Sequence, residues 1–189
     1  AATKAQIRPG DVALVIGAGP IGLVTAVSAL AAGCSRVFVS DIDDAKLEIA
    51  EGLGAITAVN VQKQDLVQEI LRATDGWGAE IVFECSGHPR GAEAVFDPLC
   101  PGGRVVFIGS QVHPVQYDVG KAMVREARVE HVFRYAHVFG RCVAMLSSGG
   151  IDVKPLITRT FDFEDSVSAF EIAASAPKGE VKMQILLPQ

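Results

Sequence analysis

The chain has 189 residues, of which 49% are hydrophobic and 21% are charged, and its formal net charge at pH 7 is −5. The hydrophobic fraction excludes an intrinsically disordered chain, and the length predicts one globular domain. A negative net charge, without any run of Lys or Arg, excludes a nucleic-acid-binding surface. The four cysteines form no CxxC pair, which excludes a disulfide framework or a zinc knuckle and favours a cytoplasmic location.

The first 132 residues alternate between short apolar runs and helical patterns. Strands are predicted over residues 12–16, 36–40, 55–59, 80–84, 104–108 and 128–132. Helices are predicted between them, over residues 21–32, 44–52, 64–74, 90–99 and 119–125. Because the strands are apolar on both faces and are separated by helices, we expect an α/β fold with a doubly wound, six-stranded parallel sheet (Rossmann) in three layers.

The residues after 135 have a weaker pattern. A helix is predicted over 138–147, another over 163–174, and a last strand in "VKMQILL", residues 181–187. No segment rich in Pro, Gly or Ser marks a linker, so residues 1–189 are expected to form one dinucleotide-binding domain. Residues 12–35 carry no charge, but Pro20 and four glycines divide them into a strand, a turn and a helix, so we expect no membrane span.

The first predicted strand leads into the turn "GAGPIG", residues 17–22. In a dinucleotide-binding turn of this kind, Gly17 permits the tight turn, Gly19 lets the backbone approach a pyrophosphate, and Gly22 permits close packing of the helix. The diphosphate would then meet the free amides at the start of that helix. The same glycines would also suit a strand-to-helix turn that binds nothing.

Asp41 ends the second predicted strand, 19 residues after Gly22, where the dinucleotide-binding fingerprint expects an acidic residue. Its carboxylate is expected to hold the hydroxyls of the adenosine ribose, which predicts NAD as the cofactor. A second interpretation makes Asp41 the N-cap of the next helix, although Asp43 or Asp44 fits that position better. Lys46 is expected either beside the same ribose or in solvent.

Six segments of the chain carry a family resemblance: "GDVALVIGAGPIGLV", "VFVSDIDDAKLEIAEGLGA", "FECSG", "PGGRVVFIG", and "VFRYAHVFGRCVAML" with "VKPLI". They resemble the nucleotide-binding half of medium-chain, zinc-type polyol dehydrogenases, of the sorbitol and xylitol dehydrogenase kind. The resemblance covers essentially the whole chain, and "VFRY" is far more restricted to the polyol branch than the glycine turn is. It implies an NAD-dependent enzyme that oxidises a sugar alcohol such as xylitol or sorbitol to a ketose by hydride transfer, with zinc as the Lewis acid. A homo-oligomer, either a dimer or a tetramer, is also expected.

The resemblance also implies roles for individual residues. Those assigned to the cofactor lie in the glycine turn or follow a predicted strand: Gly17, Gly19, Pro20, Ile21, Gly22, Asp41, Lys46, Ser86, Gly87, Gly109, Ser110, Gln111, Phe133 and Arg134. Arg134 and Tyr135 would contact the hydroxyls of the substrate. The general rule for open α/β sheets agrees on the location, since ligands bind outside the carboxyl ends of the strands.

In this family the zinc ligands and most of the substrate pocket precede the nucleotide-binding half. The chain has no set of three Cys, His or Glu residues with the spacing of a catalytic zinc site. We therefore expect a fragment that lacks the N-terminal zinc-binding catalytic domain. Such a fragment would bind NAD, contain no catalytic or metal-binding residue of its own, and be inactive alone.

Three other functions compete with this interpretation. Tyr117 and Lys121 have the YxxxK spacing of short-chain dehydrogenases, but Gly120 interrupts the pair and no long helix is predicted around it. A zinc-free quinone or enone reductase would use NADPH and favour a basic residue after the second strand, where Ile42 follows Asp41. A non-enzymatic NAD-sensing domain would not need the "VFRY" segment.

Overall fold

The computed structural model describes residues 1–135 and 137–188. Six strands form the main sheet: β1 Val12–Ile16, β2 Arg36–Asp41, β3 Ile56–Asn60, β4 Ala79–Glu84, β5 Leu99–Phe107 and β6 Arg128–His131. The helices are α1 Ala2–Ala5, α2 Pro20–Ala31, α3 Asp44–Glu51, α4 Leu66–Ala73, α5 Pro89–Glu93, α6 Val119–Val124, α7 Phe139–Ser147 and α8 Ser166–Ala174. Two further strands, β7 Ile157–Asp162 and β8 Lys182–Leu186, pair in a small parallel sheet.

The strand order of the main sheet is β3-β2-β1-β4-β5-β6, and every neighbouring pair is parallel. This order confirms the predicted doubly wound arrangement, in which the chain starts in the middle, runs outward, and then crosses to the other side. The reversal falls between β1 and β4. We call the carboxyl ends of the six strands, with the loops that follow them, the carboxyl edge; a parallel sheet of this kind binds ligands there, at the point of reversal.

Helices cover both faces of the main sheet. Since side chains along a strand alternate between faces, neighbouring residues of β1 enter different clusters. Val15 belongs to a buried cluster with Leu23 of α2 and Leu47 of α3. Leu14 belongs to a second buried cluster with Ile70 of α4. The predicted three-layer architecture is therefore confirmed.

The uncharged stretch near the start of the chain is divided as expected into β1, a turn and α2. Pro20 occupies the first turn of α2, where its missing N–H leaves no hydrogen bond unmade. Across the described ranges, none of the helices has the length and apolar character needed to cross a membrane.

The helix predicted over 90–99 is wrong for most of its length. The helix α5 ends at Glu93, and Leu99 already belongs to β5. Pro98 explains the difference, because proline disfavours helical backbone in the residue before it. The carbonyl of Pro98 also accepts a hydrogen bond from Ala79 N at 2.8 Å, which draws this segment into the sheet beside β4.

The last strand was predicted, but its partner β7 was not. The side chains of β7 are exposed or half-buried, so its sequence carries no strong apolar signal. Leu156 and Val181, next to the two strands, are buried in the same cluster as Val15, which attaches the small sheet to the α2 and α3 face. Gly179 N also donates to the Asp43 carboxylate at 2.8 Å.

A buried ion pair fastens the first residues of the chain to the main sheet. Arg104 Nη2, on β5, lies 2.8 Å from Asp11 Oδ2, and neither side chain is more than 10% exposed. Arg104 Nη1 also donates to the carbonyls of Ala5 and Gln6, at 3.0 and 2.5 Å. One guanidinium therefore holds α1 and the segment before β1 in place.

We expect Asp11→Ala to lower the free energy of unfolding by about 3–5 kcal/mol, because Arg104 would be left buried without its counter-charge. The matched control is Glu69→Ala, which removes an exposed ion pair with Arg72 on α4 and should change stability little. Urea titration of both variants measures the difference. Similar losses for the two would contradict a special role for the buried pair.

Candidate functional site

The glycine turn joins β1 to α2 at the carboxyl edge. A Cβ on Gly22 would lie 1.8 Å from the carbonyl oxygen of Gly17, so this close contact between helix and turn requires glycine. Gly17 has a φ of +103°, a backbone angle that residues with a side chain rarely adopt. Around Gly19, by contrast, no atom of the described residues lies within 4 Å of where a Cβ would stand. Packing within the chain therefore explains two of the three glycines and leaves Gly19 facing open space.

Asp41 lies against this turn. Its Oδ2 accepts from Ala18 N at 2.6 Å, and its Oδ1 accepts from the backbone N–H groups of Ile42 and Asp43, at 2.7 and 3.0 Å. A carboxylate has about four accepting positions, so one remains after these three bonds. The structure thus joins the end of β2 to the glycine turn through the carboxylate that the fingerprint singled out.

The helix-capping alternative for Asp41 is wrong. The N-cap of α3 is Asp43, whose side chain accepts from Ala45 N at 3.1 Å. Asp41 is therefore not used for capping, although it does anchor the turn. Lys46 lies in the first turn of α3 and is half-buried.

The loops after β4 and β5 meet beside the glycine turn. A Cβ on Gly17 would lie 3.0 Å from the backbone of Ser86, and a Cβ on Gly109 would lie 2.3 Å from Gly87 N. Gly87 has a φ of +65°, and a Cβ on it would lie 2.8 Å from the carbonyl oxygen of Ser110. Three of the segments assigned from the sequence are thus brought into contact, backbone against backbone.

A residue that the sequence analysis did not assign lies beneath these loops. Glu84, the last residue of β4, is completely buried. Its Oε1 accepts from Ser86 N, Ser86 Oγ and Gly87 N, at 2.9, 2.5 and 3.1 Å, and its Oε2 accepts from Gln111 Nε2 at 3.0 Å. One signal in the sequence could have found Glu84: it is an acidic residue at the end of the apolar run "EIVFE". Charged residues are almost never fully buried without partners, so an acid in this position predicts that polar groups surround it.

The segment after β6 is far more exposed. Phe133 is 87% and Tyr135 67% exposed. The guanidinium carbon of Arg134 lies 4.7 Å from the centre of the Phe133 ring, and the Tyr135 ring packs edge-on against Phe139 at 5.1 Å. These side chains stand at the carboxyl edge as predicted, but contacts within the chain leave their polar groups open to solvent.

Comparison with known proteins decides the family. The model of the family described as "Zinc-binding dehydrogenase" matches residues 20–148, more than half of the chain. The chain belongs to the zinc-binding dehydrogenase family. The family resemblance stated from the sequence is confirmed.

Individual relatives agree with this family. The chain is 42% identical to the D-xylulose reductase of Morganella morganii, over 92% of this chain and 51% of that protein. It is 36% identical to the L-idonate 5-dehydrogenase of Vitis vinifera, over 92% of this chain and 49% of that protein. A zinc-binding dehydrogenase from Sinorhizobium meliloti, crystallised with NADP, superposes with a TM-score of 0.87 at 27% identity, over 97% of this chain and 54% of that one. The chain thus spans about half the length of these relatives.

The family assignment and the geometry both oppose a short-chain dehydrogenase site. The Tyr117 ring packs on Phe96 and Phe107, with ring centres 5.4 and 6.4 Å apart. Lys121 Nζ is hydrogen-bonded to the Asp97 carboxylate, and this bond raises the pKa of the lysine. Each member of the pair is therefore engaged elsewhere.

The family is described as zinc-binding, but the described residues of this chain do not fit a zinc site. Within residues 1–135 and 137–188, no three His, Cys, Asp or Glu side chains are grouped so that they could hold a metal ion. Burial raises the pKa of Cys85 to about 12 and those of Cys34 and Cys100 to about 11. Because a zinc ligand is a thiolate, burial of these thiols away from other ligands disfavours zinc binding there.

Two glycine variants test what the glycine turn is for. We expect Gly19→Ala to fold normally, because its φ of −72° suits alanine and the methyl group meets no described atom. If a pyrophosphate approaches this backbone, the same methyl group should weaken NAD binding by about tenfold or more. Gly22→Ala is the contrast, since its methyl group would clash with the Gly17 carbonyl and should lower Tm. Thermal unfolding and NAD titration measure both effects; unchanged NAD affinity in Gly19→Ala would contradict the assigned role of Gly19.

Proposed function

We propose that the chain is the nucleotide-binding part of an NAD-dependent polyol dehydrogenase, which oxidises a sugar alcohol such as xylitol or sorbitol to a ketose by hydride transfer. The observation that carries the proposal is the Asp41 carboxylate, 2.6 Å from Ala18 N in the glycine turn of a zinc-binding dehydrogenase. NAD, when bound, supplies the hydride acceptor. The residues of this chain bind it and orient it.

The adenosine end of the cofactor would lie between the glycine turn and the end of β2. Gly19 and the first amides of α2 would receive the diphosphate, because these amides lack acceptors within the helix. The remaining accepting position of Asp41 suits a ribose hydroxyl, and Lys46 would lie beside the same ribose. Pro20 and Ile21, both exposed at the start of α2, would flank the diphosphate and the nicotinamide.

The nicotinamide end would lie over the loops after β4, β5 and β6. The segments assigned there are Ser86 with Gly87, Gly109 to Gln111, and Phe133 with Arg134. The support is that the first two segments meet directly beside Gly17, at the crevice between β1 and β4. A dinucleotide is long enough to need contacts on both sides of this crevice.

The substrate proposal rests on Arg134 and Tyr135. A guanidinium donor and a phenol that both stand in solvent at the carboxyl edge suit a ligand with several hydroxyl groups. The relative from Morganella morganii is named for D-xylulose, which supports a five-carbon polyol and its ketose. The Vitis vinifera relative is named for L-idonate, so this sugar acid is the matched comparison in any substrate assay.

We propose that zinc is bound by residues outside these 189, and we assign no step to it here. On this proposal residues 1–189 form a single dinucleotide-binding domain that binds NAD but does not oxidise polyols by itself. We also propose a cytoplasmic homo-oligomer, a dimer or a tetramer. Its support is that β6 is an edge strand and that α6, which leads into it, exposes Met123 and Val124.

The main competing function is an NAD-sensing domain without catalysis. It shares every expected contact with the cofactor and differs only after β6, where a sensor needs no polyol contact. A zinc-free reductase that prefers NADPH is separated from both by the choice of cofactor.

Cofactor choice tests the role of Asp41. A 2′-phosphate beside this carboxylate would meet like-charge repulsion of about 1–4 kcal/mol, so NAD should bind at least about tenfold more tightly than NADP. Asp41→Ala should weaken NAD binding and bring the two affinities together. Loss of the hydrogen bond between Asp41 and Ala18 N would weaken the binding of both cofactors equally. Only the ratio of the two dissociation constants therefore measures the contact between Asp41 and the ribose. Equal affinity of the parent protein for NAD and NADP would remove Asp41 from this role.

Arg134→Ala tests the substrate proposal in the polyol-oxidising protein. We expect KM for xylitol or sorbitol to rise by about tenfold, because a hydrogen bond from a charged donor contributes about 1.5–3 kcal/mol. The dissociation constant of NAD should stay of the same order. Tyr117→Phe is the control and should leave turnover nearly unchanged. A loss of stability in Arg134→Ala without any change in KM would make Arg134 a structural residue.

A further inference from the structure

Glu84 is the one fully buried acidic side chain among the described residues, and it lies at the point where the strand order reverses. All of its side-chain hydrogen-bond partners come from loops of the carboxyl edge, namely Ser86 and Gly87 after β4 and Gln111 after β5. Within the described ranges, no Lys, Arg or His nitrogen forms an ion pair with it. Its charge is supported by neutral donors alone.

Such an arrangement is a poor way to gain stability. Removing a carboxylate from water is costly, and neutral donors compensate this loss less fully than an opposite charge does. An apolar residue of similar size at the end of an apolar strand would avoid the cost. A buried carboxylate in this place therefore needs a reason other than stability, and the loops that it holds supply one.

Backbone hydrogen bonds fix the start of the loop after β5, where Ile108 N and Gly109 N donate to the Glu84 carbonyl at 2.9 Å each. The two loops then pack against each other through glycines. Gly87 and Gly109 face each other without side chains, so no interlocking side chains set the distance between the two loops. The Glu84 carboxylate bridges the gap: Oε1 binds the loop after β4, and Oε2 binds Gln111 of the loop after β5.

We propose that Glu84 is a positioning residue, which fixes the spacing of the loops after β4 and β5 so that they receive the nicotinamide half of NAD. The inference rests on the proposed function, because it concerns the end of the site assigned to the nicotinamide. The adenosine end is built from Asp41 and the glycine turn, and Glu84 makes no hydrogen bond to either. The indirect link is the Ser86 backbone, which packs beside Gly17, so loss of Glu84 should affect the nicotinamide half of the cofactor more than the adenosine half.

The test compares NAD with ADP, which lacks the nicotinamide and its ribose. Glu84→Gln keeps the size of the side chain but replaces the charged acceptor with a neutral amide, whose hydrogen bonds are roughly half as strong. We expect the dissociation constant of NAD to rise by about fivefold or more, while that of ADP changes less than about twofold. Calorimetric titration of the 189-residue chain, with Tm measured alongside, gives both values.

Glu80→Gln is the matched control. Glu80 lies on the same face of β4 but near its other end, and its two carboxylate oxygens accept from Val12 N and Trp77 Nε1, at 2.8 and 2.9 Å. This variant changes a half-buried carboxylate with two hydrogen bonds, far from the carboxyl edge. It should leave the ratio of the NAD and ADP dissociation constants unchanged, whatever it does to Tm.

A purely structural role for Glu84 predicts a different result: lower Tm with equal losses for NAD and ADP. That result, or an unchanged ratio, would overturn the inference and leave the proposed function standing. Failure of the parent protein to bind NAD would overturn the proposed function and this inference with it. The two failures are therefore distinguishable.

Gln111→Leu provides a second route if Glu84→Gln does not fold. This variant removes the hydrogen bond between the two loops but leaves the bonds from Glu84 to the loop after β4. The ratio of the NAD dissociation constant to the ADP dissociation constant should therefore rise by about threefold. If both variants fold, the double variant should show less than the sum of the two effects, because each breaks the same bridge. An unchanged ratio in Gln111→Leu, or additive effects in the double variant, would overturn the inference.

Discussion

The close contact between α2 and the glycine turn determines the geometry of the whole carboxyl edge. Only a residue without a Cβ fits where Gly22 meets the Gly17 carbonyl, and this lets the helix start directly beyond β1. The turn held in this way receives Asp41 from one side and the Ser86 backbone from the other. The ends of β2 and β4 are thus positioned relative to one helix start, and the proposed diphosphate site lies between them.

The two ends of the main sheet bury charge in different ways. Towards the amino ends of the strands, Arg104 and Asp11 neutralise each other and fasten the first residues of the chain. At the carboxyl edge, Glu84 has only neutral donors, all of them in loops assigned to the cofactor. The first arrangement favours stability, since removing either partner would leave the other charge buried and unpaired. The second suits a binding site. The hydrogen bonds that partly offset the cost of burying the carboxylate also hold in place the loops proposed to bind a ligand.

The parts of the proposed site differ in how much support they have within the chain. Asp41 accepts from Ala18 N, and the neighbouring Gly17 packs against the Ser86 backbone, so contacts within the chain support the adenosine end and the crevice. Arg134 and Tyr135 stand in solvent, and their proposed role depends on the family and on the names of its members. Relatives named for D-xylulose and for L-idonate both match 92% of this chain, so similarity over this chain is shared by proteins named for different substrates.

Much of this protein could be predicted from the sequence, because the deciding signals are local. Buried parallel strands appear as apolar runs, so the doubly wound sheet followed from pattern alone. The glycine turn and Asp41 lie within one βαβ unit whose spacing is set by covalent geometry, and the adenosine end is proposed from that local pattern. The helix over 90–99 failed because Pro98 disfavours helical backbone before it and because its carbonyl bonds Ala79 N beside β4. The strand β7 carried no strong apolar signal without its partner β8. Glu84 was overlooked for the same reason: its partners Gly87 and Gln111 lie on loops that only the packing of β4 against β5 brings together. The sequence by itself thus determined which segments end at the carboxyl edge, whereas the tertiary structure decided which of them touch. The physical reason is that contacts between loops depend on strand order and on the close approach of glycine backbones, and glycine has no side chain whose pattern in the sequence could indicate such a contact.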